Sequence, residues 1–427
     1  MTASIWYISK YVTPQYAAKL GARGFHILRE FARLGHRAVL ITSDSNHLAT
    51  PPRLRGPRFH ENVNGVDVHW LRTRKYRSAD SIGRIISWLD FEWRLFRMPH
   101  TELPRPEVII VSSLSLLTIL NGLWLRRRYR CKLVFEVRDI WPLTLVGTGG
   151  YSPRNPIIML LAWIEKLGYS RADLIVGTMP NLREHVAEVA GATCPVVCIP
   201  QGVSFEAFDN SPEPLTVNYV STYIPQDKFI ICHAGSIGAD NALETLLDCA
   251  KSLRDRPDIH FLIVGEGYLK ATFQEQSRDL TNVTFAPGVP KAVVQSVLAR
   301  ADLLYFAVPR SPVLRFGQSL NKVIDYMLSG KPVVASFTGY PTMINEAECG
   351  SYVPAEDPQA LRIEFERYAS MAESKRNEIG ARGRSWLKEN RDFEHLARDY
   401  LAHLGLSPSE GGFSSEISRQ MSRKTRT

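Results

Sequence analysis

Cysteine is scarce in this 427-residue sequence, and the placement of the few thiols argues against two classes of protein. The six cysteines are scattered through apolar segments, and the one close pair, Cys194 and Cys198, has no second metal-ligand pair nearby. A disulfide-rich secreted domain and a cysteine-based zinc module are therefore disfavoured. We expect buried, reduced thiols.

Signals for export are also lacking. The opening residues, MTASIWYISKYVTP, contain neither the charged segment nor the long apolar segment of a signal peptide. We therefore expect the chain to begin with a strand and to remain in the cytoplasm.

Long uncharged runs are rare, and the run from residue 108 to residue 125 has two interpretations. Because the cations of RRRYR follow it, it could be a short membrane span. A break at Ser112 and Ser113 instead favours a buried β-branched strand followed by an apolar helix, as in α/β proteins.

Acidic residues are outnumbered, because 43 Asp and Glu face 52 Lys and Arg, for a net charge of +9. This excess suggests an anionic partner, and nucleic acid, acidic phospholipid and phosphorylated substrates all qualify. The chain is too long for one ordinary core and suggests two domains of about 200 residues each.

Short β-rich runs alternate with longer helical patterns in two successive series, which predicts an α/β fold with parallel sheets. The polar, proline-bearing stretch 209–228 separates the two series and is the expected linker. The tail from residue 407 is rich in Ser, Gly and Arg and is expected to be disordered. The predicted strands are Ile5–Ile8, Ala38–Thr42, Val66–Leu71, Val108–Val111, Lys132–Glu136, Leu174–Gly177, Val196–Ile199, Phe229–His233, His260–Val264, Val283–Phe285, Leu303–Phe306, Val333–Ala335 and Ser351–Val353.

Loops at the carboxyl ends of parallel strands are the places where such domains bind ligands. Gly21 and Gly24 follow the first strand, and they fit either close substrate contact or an ordinary turn. Arg138 and Asp139 follow the strand KLVFE, and they fit either proton transfer and phosphate binding or a pair that joins loops. The two glycines of GSIG, after the strand that opens the second series, suit contact with a pyrophosphate, although such a motif is common.

The stretch FGQSLNKVIDYMLSGKPVVAS, residues 316–336, predicts a loop, a helix from Asn321 and a turn into an apolar strand. Exposed backbone N–H groups at a helix start form a ready anion site. Gly317, Ser319 and Lys322 lie around that start, and Asp325 lies one turn later, where a carboxylate could hold a sugar hydroxyl.

Eight segments resemble glycosyltransferase family 4 in their order and spacing. They are LGHRAVLIT, FEVRDIWP, SRADLIVGTMPNLREHV, IPQGVSFEAF, CHAGSIG, FLIVGEGYLKATF, VTFAPGVP and DYMLSGKPVVAS. The resemblance is strongest to the bacterial branch of L-fucosamine-type sugar transferases in O-antigen and capsule assembly. It implies a GT-B fold, with two Rossmann-like domains facing across a cleft, and retaining, metal-independent transfer from a nucleotide diphosphate sugar without a cofactor.

The same resemblance implies a domain scheme. Residues 1–208 would form the acceptor-binding domain, 209–228 the linker and 229–383 the donor-binding domain. Residues 384–406 would be helices that pack back on the first domain, and 407–427 the disordered tail.

Site residues follow from the resemblance, position by position. Asp139, Arg138 and Lys322 would be catalytic, with Lys322 stabilising the leaving diphosphate and Arg315 as the second choice for that role. Gly21 and Gly24 would lie on the acceptor side. The donor would be bound by Gly235, Ser236, Gly238, Glu266, Gly267, Gly288, Val289, Arg315, Gly317, Ser319, Leu320, Asn321 and Asp325.

The sequence departs from the family pattern at three places. Of the two glutamates usually found eight positions apart, the first is replaced by Gly317 and the second by the shorter Asp325. Arg138 stands where many relatives have histidine. The segment GSIGADNALE lacks the Arg and Lys that many relatives use to hold phosphates, a function that Lys322 is expected to replace.

Residues 71–97 interleave cations with large apolar side chains, a pattern typical of a helix on an acidic membrane or of one packed on its domain. The family branch favours the membrane, with a polyprenyl-diphosphate-linked acceptor at the inner face of the cytoplasmic membrane. Nucleic acid is not expected as a partner. A nucleotide-sugar epimerase and a non-catalytic nucleotide-sugar-binding assembly protein are the alternatives, and the sequence leaves UDP, GDP and dTDP open.

Overall fold

The structure is a computed structural model that describes residues 2–18, 22–76, 81–147, 149–191, 194–205 and 213–409. Gly21, the first residues of the expected linker and the tail from residue 410 lie outside the described residues. Every predicted strand is present, to within two residues at its ends.

The strands are β1 Ser4–Ile8, β2 Arg37–Ser43, β3 Arg58–Val63, β4 Val66–Leu71, β5 Val108–Ser112, β6 Lys132–Val137, β7 Leu174–Gly177, β8 Val196–Cys198, β9 Phe229–Ala234, β10 Ile259–Val264, β11 Val283–Ala286, β12 Leu303–Ala307, β13 Val333–Ser336 and β14 Gly350–Val353. The helices are α1 Arg23–Arg33, α2 Ile82–Arg97, α3 Thr118–Tyr129, α4 Leu143–Gly147, α5 Pro156–Arg171, α6 Leu182–Ala190, α7 Val217–Tyr223, α8 Leu243–Ser252, α9 Lys270–Gln276, α10 Val294–Leu298, α11 Asn321–Leu328, α12 Met343–Glu346, α13 Pro358–Ser370, α14 Glu373–Asn390 and α15 Phe393–Leu404.

Two compact units divide the chain. The first contains the described residues up to Gly202 together with those from Phe393 onward, and the second runs from Val203 to Asp392. The chain therefore returns to the first unit at Phe393, whereas the sequence suggested residue 384. The reason is that α14 continues to Asn390 and buries Leu387 in the core of the second unit.

The first unit is built on an eight-stranded sheet with the order β3-β4-β2-β1-β5-β6-β7-β8. All neighbouring strands are parallel except β3 and β4. The sequence did not predict β3, because its residues RFHENV are polar and mostly exposed at the sheet edge. Residues 108–125 form β5, a short turn and most of α3, which confirms the strand–helix interpretation.

The helices of the first unit form two sets. In one, α1 packs against α15, and the Phe31 and Tyr400 rings meet edge to face with centroids 5.6 Å apart. In the other, α3 packs between α2 and α5. No helix among the described residues is both long and apolar enough to span a bilayer.

A buried ion pair connects several elements of the first unit. Arg23 of α1 and Glu136 of β6 are fully buried, with Nη1 and Oε1 2.9 Å apart. Arg23 also donates to the carbonyls of Ile199 and Pro200, at 2.6 and 2.9 Å, and the Tyr7 hydroxyl donates to Glu136. Burial would raise the pKa of Glu136, but the Arg23 guanidinium holds it below the usual range.

The second unit has a six-stranded, wholly parallel sheet in the order β11-β10-β9-β12-β13-β14. The six cysteines are all free; three are buried and three are half-buried, so the expectation of buried thiols holds for half of them. The middle of α14 lies close to the turn after α11, because a Cβ on Gly380 would lie 2.0 Å from the Gly330 carbonyl oxygen.

We predict that Glu136→Gln lowers the stability of the first unit by about 3 kcal/mol, because it leaves the Arg23 guanidinium buried without a counter-charge. The measurement is the urea midpoint of the unfolding transition. Glu394→Gln is the matched control, because it removes one partner of an exposed pair with Arg398, and its effect should stay below about 1 kcal/mol. Equal midpoints for the two variants would contradict the importance of the buried pair.

Candidate functional site

In the second unit, the loops after β9 and β10 are packed backbone to backbone. The Gly235 nitrogen donates to Val264 and the Ile237 nitrogen donates to Glu266, both at 2.9 Å. A Cβ on Gly265 would lie 1.8 Å from the Gly235 carbonyl oxygen, and one on Gly267 would lie 2.0 Å from that of Ile237. The glycines of VGEG are therefore explained by this close packing, whatever ligand the loops bind.

Lys322, at the start of α11, reaches this loop pair. Its Nζ donates to Oδ1 of Asn241, whose own Nδ2 donates to the carbonyl and the hydroxyl of Ser236, at 2.9 Å each. A Cβ on Gly235 would be 3.8 Å from the Lys322 ammonium, so the cation lies just beyond the glycine. Burial lowers the pKa of Lys322 to about 8, against the opposing effect of Asp240.

Asn241 and His233 were not identified from the sequence. Asn241 comes from GSIGADNALE, the segment that lacks the usual cations, and it positions a lysine from α11 instead. His233 is fully buried on β9, and burial together with the Lys322 ammonium lowers its pKa to about 3. The imidazole is therefore neutral at physiological pH, and Lys322 carries the charge at this place.

Asp325 lies one turn into α11. Its carboxylate accepts a hydrogen bond from the exposed Lys291, and Gln295 donates to its backbone carbonyl at 3.0 Å. Burial raises the pKa of Asp325, and the Lys291 ammonium opposes that shift. Tyr326, the next residue, is hydrogen-bonded through its hydroxyl to both backbone groups of Ala234, which fixes α11 against β9.

Glu266 and Gly288 are also brought together. The Glu266 carboxylate accepts from the Gly288 nitrogen at 3.1 Å and from Lys270 at 3.0 Å, and both contacts lower its pKa, that of Lys270 the more. Val289 is partly buried against the core of the second unit. These residues therefore connect the loops after β10 and β11.

The residues just before α11 form a 3-10 turn, Pro312–Phe316, and a short segment that leads into the helix. Arg315 is exposed, with its guanidinium over the Phe316 ring at 4.5 Å. Gly317 ends a 3-10 turn with a φ of +92°, a conformation that favours glycine, and Leu320 packs on the core. Ser319 is half-buried and Asn321 is exposed, and the N-cap residue of α11 is Leu320, whose side chain forms no capping hydrogen bond.

Arg138 and Asp139 lie after β6 in the first unit. The Asp139 carboxylate accepts from the Trp141 indole and from the Thr144 hydroxyl, both at 3.1 Å, so its own loop already occupies it. Burial and the nearby Arg23 guanidinium lower the pKa of Arg138. Arg138 therefore belongs electrostatically to the buried cluster around Glu136.

Gly24 differs from its expected placement. It lies in the first turn of α1, where a Cβ would be 3.0 Å from Val12 and 3.1 Å from Tyr7. Its close approach is thus to the unit's own side chains. Gly21, its expected companion, lies outside the described residues.

Two further titratable groups of the first unit were not identified from the sequence. Lys10 is fully buried and donates to the Ser45 carbonyl at 2.7 Å and to the Ser43 hydroxyl at 3.2 Å, and burial lowers its pKa to about 7. Glu92 of α2 accepts from Thr118 at 2.6 Å and from Asn121 at 2.7 Å, while burial raises its pKa to about 7. Groups with such shifts are candidates for function.

Aromatic side chains surround Lys10. Its ammonium lies 5.6 Å from the ring centre of Tyr11 and 5.7 Å from that of Tyr76. The Tyr11 hydroxyl accepts from Trp88 at 2.5 Å and from Arg84 at 3.2 Å. This cluster joins α2 to the loop after β1, at the carboxyl edge of the first sheet. Within the described residues there is no group of three or more His, Cys, Asp or Glu side chains that could hold a metal ion.

Solved structures of similar fold define the class of the protein. Sucrose-phosphate synthase from Thermosynechococcus elongatus has a TM-score of 0.68 at 16% identity, covering 99% of this chain and 100% of that one. The trehalose-6-phosphate enzyme of E. coli, bound with UDP-2-fluoro glucose, has a TM-score of 0.70 at 12% identity, over 94% and 99% of the chains. Anabaena HepE in complex with UDP-glucose has a TM-score of 0.60 at 14% identity, over 94% and 99%. The fold is GT-B, with two Rossmann-like domains, as predicted.

Family comparisons are more specific. The family "Glycosyl transferase 4-like domain" matches residues 21–202, and "Glycosyl transferases group 1" matches residues 228–370. The putative colanic acid biosynthesis glycosyl transferase WcaI of Escherichia coli is 26% identical over 188 residues, 43% of this chain and 44% of that protein. The chain spans less than half the length of this curated relative. It belongs to family 4 of the glycosyltransferases, which confirms the predicted family.

We predict that the affinity for a nucleoside diphosphate falls as the pH rises through about 8, because the Lys322 ammonium loses its proton there. Calorimetric titration across that range should also show proton uptake on binding near pH 8. Lys322→Arg should remove the pH dependence, because arginine stays charged.

Lys322→Ala should weaken binding about tenfold at pH 7, the size expected for loss of one charge-assisted hydrogen bond. An affinity in Lys322→Ala that equals the wild-type value, or an unchanged pH dependence in Lys322→Arg, would show that Lys322 does not bind the diphosphate.

Proposed function

We propose that the protein transfers a sugar from a nucleotide diphosphate sugar to a saccharide acceptor in bacterial surface polysaccharide biosynthesis, with retention and without a metal. The observation that carries this proposal is the Lys322 ammonium, held by Asn241 beside Gly235. Family membership supports the reaction class, and the colanic acid biosynthesis named for the E. coli relative supports the biosynthetic setting.

The departure of a nucleoside diphosphate places negative charge on its terminal phosphate. An ammonium that is already held in position, and partly out of water, stabilises that charge without reorganising during the reaction. The start of α11, where the N-cap residue Leu320 forms no side-chain hydrogen bond, adds backbone N–H groups and the positive end of a helix dipole. Lys322 is therefore assigned to the diphosphate, and Arg315, which is exposed and stacked on Phe316, is assigned to a secondary role.

Asp325 is assigned to the ribose. A carboxylate can accept hydrogen bonds from two neighbouring hydroxyls, and Asp325 stands one turn along α11 from Lys322. Its Lys291 partner is largely exposed and can move away when a hydroxyl arrives. We assign the neighbouring loops after β9, β10 and β11 to the rest of the nucleotide.

Gln318 is a candidate for the contact that the missing glutamate at Gly317 would make. Both polar atoms of its amide are buried and have no hydrogen-bond partner in the described part of the chain. Buried amides are seldom left unpaired, and a sugar offers both donors and acceptors. We assign Gln318 to the donor sugar.

The acceptor is proposed to be a polyprenyl-diphosphate-linked saccharide bound by the first unit. Residues 71–97 include α2, which exposes five large apolar side chains: Ile85, Ile86, Leu89, Trp93 and Phe96. The inner face of that helix holds Arg84 and Trp88 against Tyr11. We propose that α2 contacts the cytoplasmic face of the inner membrane and brings the loop after β1 close to the acceptor.

Purified protein incubated with UDP-, GDP- and dTDP-sugars should release nucleotide only when a polyprenyl-diphosphate saccharide is present, because transfer needs an acceptor. Nucleotide release with and without acceptor is the measurement. Isomerisation of the donor without acceptor would indicate an epimerase. Saturable binding without turnover would indicate a binding protein, and either result contradicts the proposal.

Asp325→Asn should weaken binding of the preferred nucleoside diphosphate about tenfold, because the carboxylate is replaced by a weaker acceptor. Inorganic pyrophosphate has no ribose and serves as the control ligand, with an affinity that should change little. If the variant binds nucleotide as tightly as the wild type, the ribose assignment is wrong.

A further inference from the structure

Three neighbouring helices of the first unit share an unusual exposed surface. α3 packs between α2 and α5, and together the three expose ten large apolar side chains, five on α2, one on α3 and four on α5. Among their described side chains, no exposed residue is acidic. Large exposed apolar patches mark interaction sites.

The part of this surface on α5 lies outside the segment that the sequence singled out. Ile157, Leu160 and Trp163 follow one another at intervals of three, so they lie along one side of the helix. Each is more than half exposed, at 58%, 54% and 58%. The acid of α5, Glu165, is buried and accepts from Tyr169 at 3.0 Å, with His185 at 2.7 Å, so it leaves no negative charge on the outside.

Cations lie at the other end of the same helices. Arg127 and Arg128 are exposed near the end of α3, and Arg171 is exposed at the end of α5. A cavity of about 350 Å³ is lined by Arg126, Arg127, Arg130 and Arg171, together with Leu123 and Cys131. Arg126 is paired with Asp173, at 2.5 Å, and guanidinium groups suit phosphate binding.

We propose that the outer face of α2, α3 and α5 binds an anionic lipid bilayer, with Ile157, Leu160 and Trp163 inserted among the headgroups and the arginine cavity holding a lipid phosphate. This inference rests on the proposed function, because a lipid-linked acceptor needs such attachment. Exposed apolar side chains beside exposed cations, with no exposed acid among the described side chains of the three helices, match the chemistry of an interfacial helix on anionic lipid.

A second copy of the chain fits this surface less well. A two-fold symmetric contact would bury the exposed arginines, and no exposed acid among the described side chains of the three helices would be there to pair with them. Nucleic acid would meet the cations but would leave the α5 apolar side chains in water. A bilayer accommodates both the exposed cations and the exposed apolar side chains, so it is the favoured partner.

The position of the apolar side chains agrees with this assignment. α3 follows β5 after a short turn, and α5 follows β6 after the short helix α4, so both helices start near the carboxyl edge of the first sheet. Ile157, Leu160 and Trp163 all lie in the first half of α5, toward the edge that holds Asp139 and Lys10. A bilayer on this face would present the acceptor headgroup at that edge.

The test is flotation of the full chain with vesicles of phosphatidylcholine alone and of phosphatidylcholine mixed equally with phosphatidylglycerol. The wild-type chain should float with the anionic vesicles. Ile157→Ser, Leu160→Ser and Trp163→Ser combined should reduce binding at least about tenfold, because three apolar contacts are lost. Val217→Ser with Ile363→Ser is the matched control, because it removes exposed apolar side chains of the second unit and should leave binding unchanged.

Arg127→Gln, Arg130→Gln and Arg171→Gln combined should remove the preference for anionic vesicles. The wild-type chain remaining unbound, or the α5 variant floating like the wild type, would overturn the proposal. A wild-type dimer that the α5 variant converts to monomer would also overturn it in favour of a second copy.

Nucleotide release with a water-soluble, short-chain acceptor separates this inference from the proposed function. The α5 variant should keep the wild-type rate with that acceptor and lose most of the rate with the acceptor embedded in anionic vesicles. Equal loss with both acceptors would show a folding or catalytic defect and overturn the membrane assignment. Absence of release in the wild type would count against the proposed function alone, because flotation is measured independently.

Discussion

The close packing of the loops after β9 and β10 is the constraint on which the candidate donor site depends. Side chains at Gly265 and Gly267 would collide with backbone oxygens of the neighbouring loop, so only glycine permits the two loops to touch. That contact fixes Ser236, which holds Asn241, which in turn holds Lys322. An ammonium at the start of a helix is thereby placed beside a backbone loop, held by an amide oxygen and with Asp240 as a nearby negative charge.

The first unit uses charge differently. Arg23 and Glu136 neutralise each other inside the fold, and they hold α1, β6 and the segment after β8 together. Arg138 is drawn into that buried group, and Asp139 is occupied by Trp141 and Thr144. Lys10, in the loop after β1, and Glu92 of α2 both have pKa values shifted to about 7. If the first unit binds the acceptor, as proposed, we expect the aromatic cluster around Lys10 to take part as much as the Arg138–Asp139 loop.

Much of the fold could be predicted from the sequence, because buried parallel strands are continuous apolar runs and their loops carry the glycines. The exposed strand β3 could not, because its polar residues RFHENV lack that signal. The contact between Asn241 and Lys322 joins residues 81 positions apart, and only the folded sheet brings them together. The exposed side of α5 could not be predicted either. Its sequence PIIMLLAWIEKLG is apolar on nearly all sides, as in a buried helix, so only the neighbouring elements decide which side is covered. The sequence correctly predicted the glycines of VGEG in a loop. The structure explains them by the close backbone packing of that loop.

The most direct test of the central claim is a crystal structure of the protein with its nucleoside diphosphate bound. We predict that the Lys322 ammonium lies about 2.8 Å from an oxygen of the terminal phosphate, still in contact with Asn241. A terminal phosphate bound elsewhere, with Lys322 contacting only protein, would contradict it.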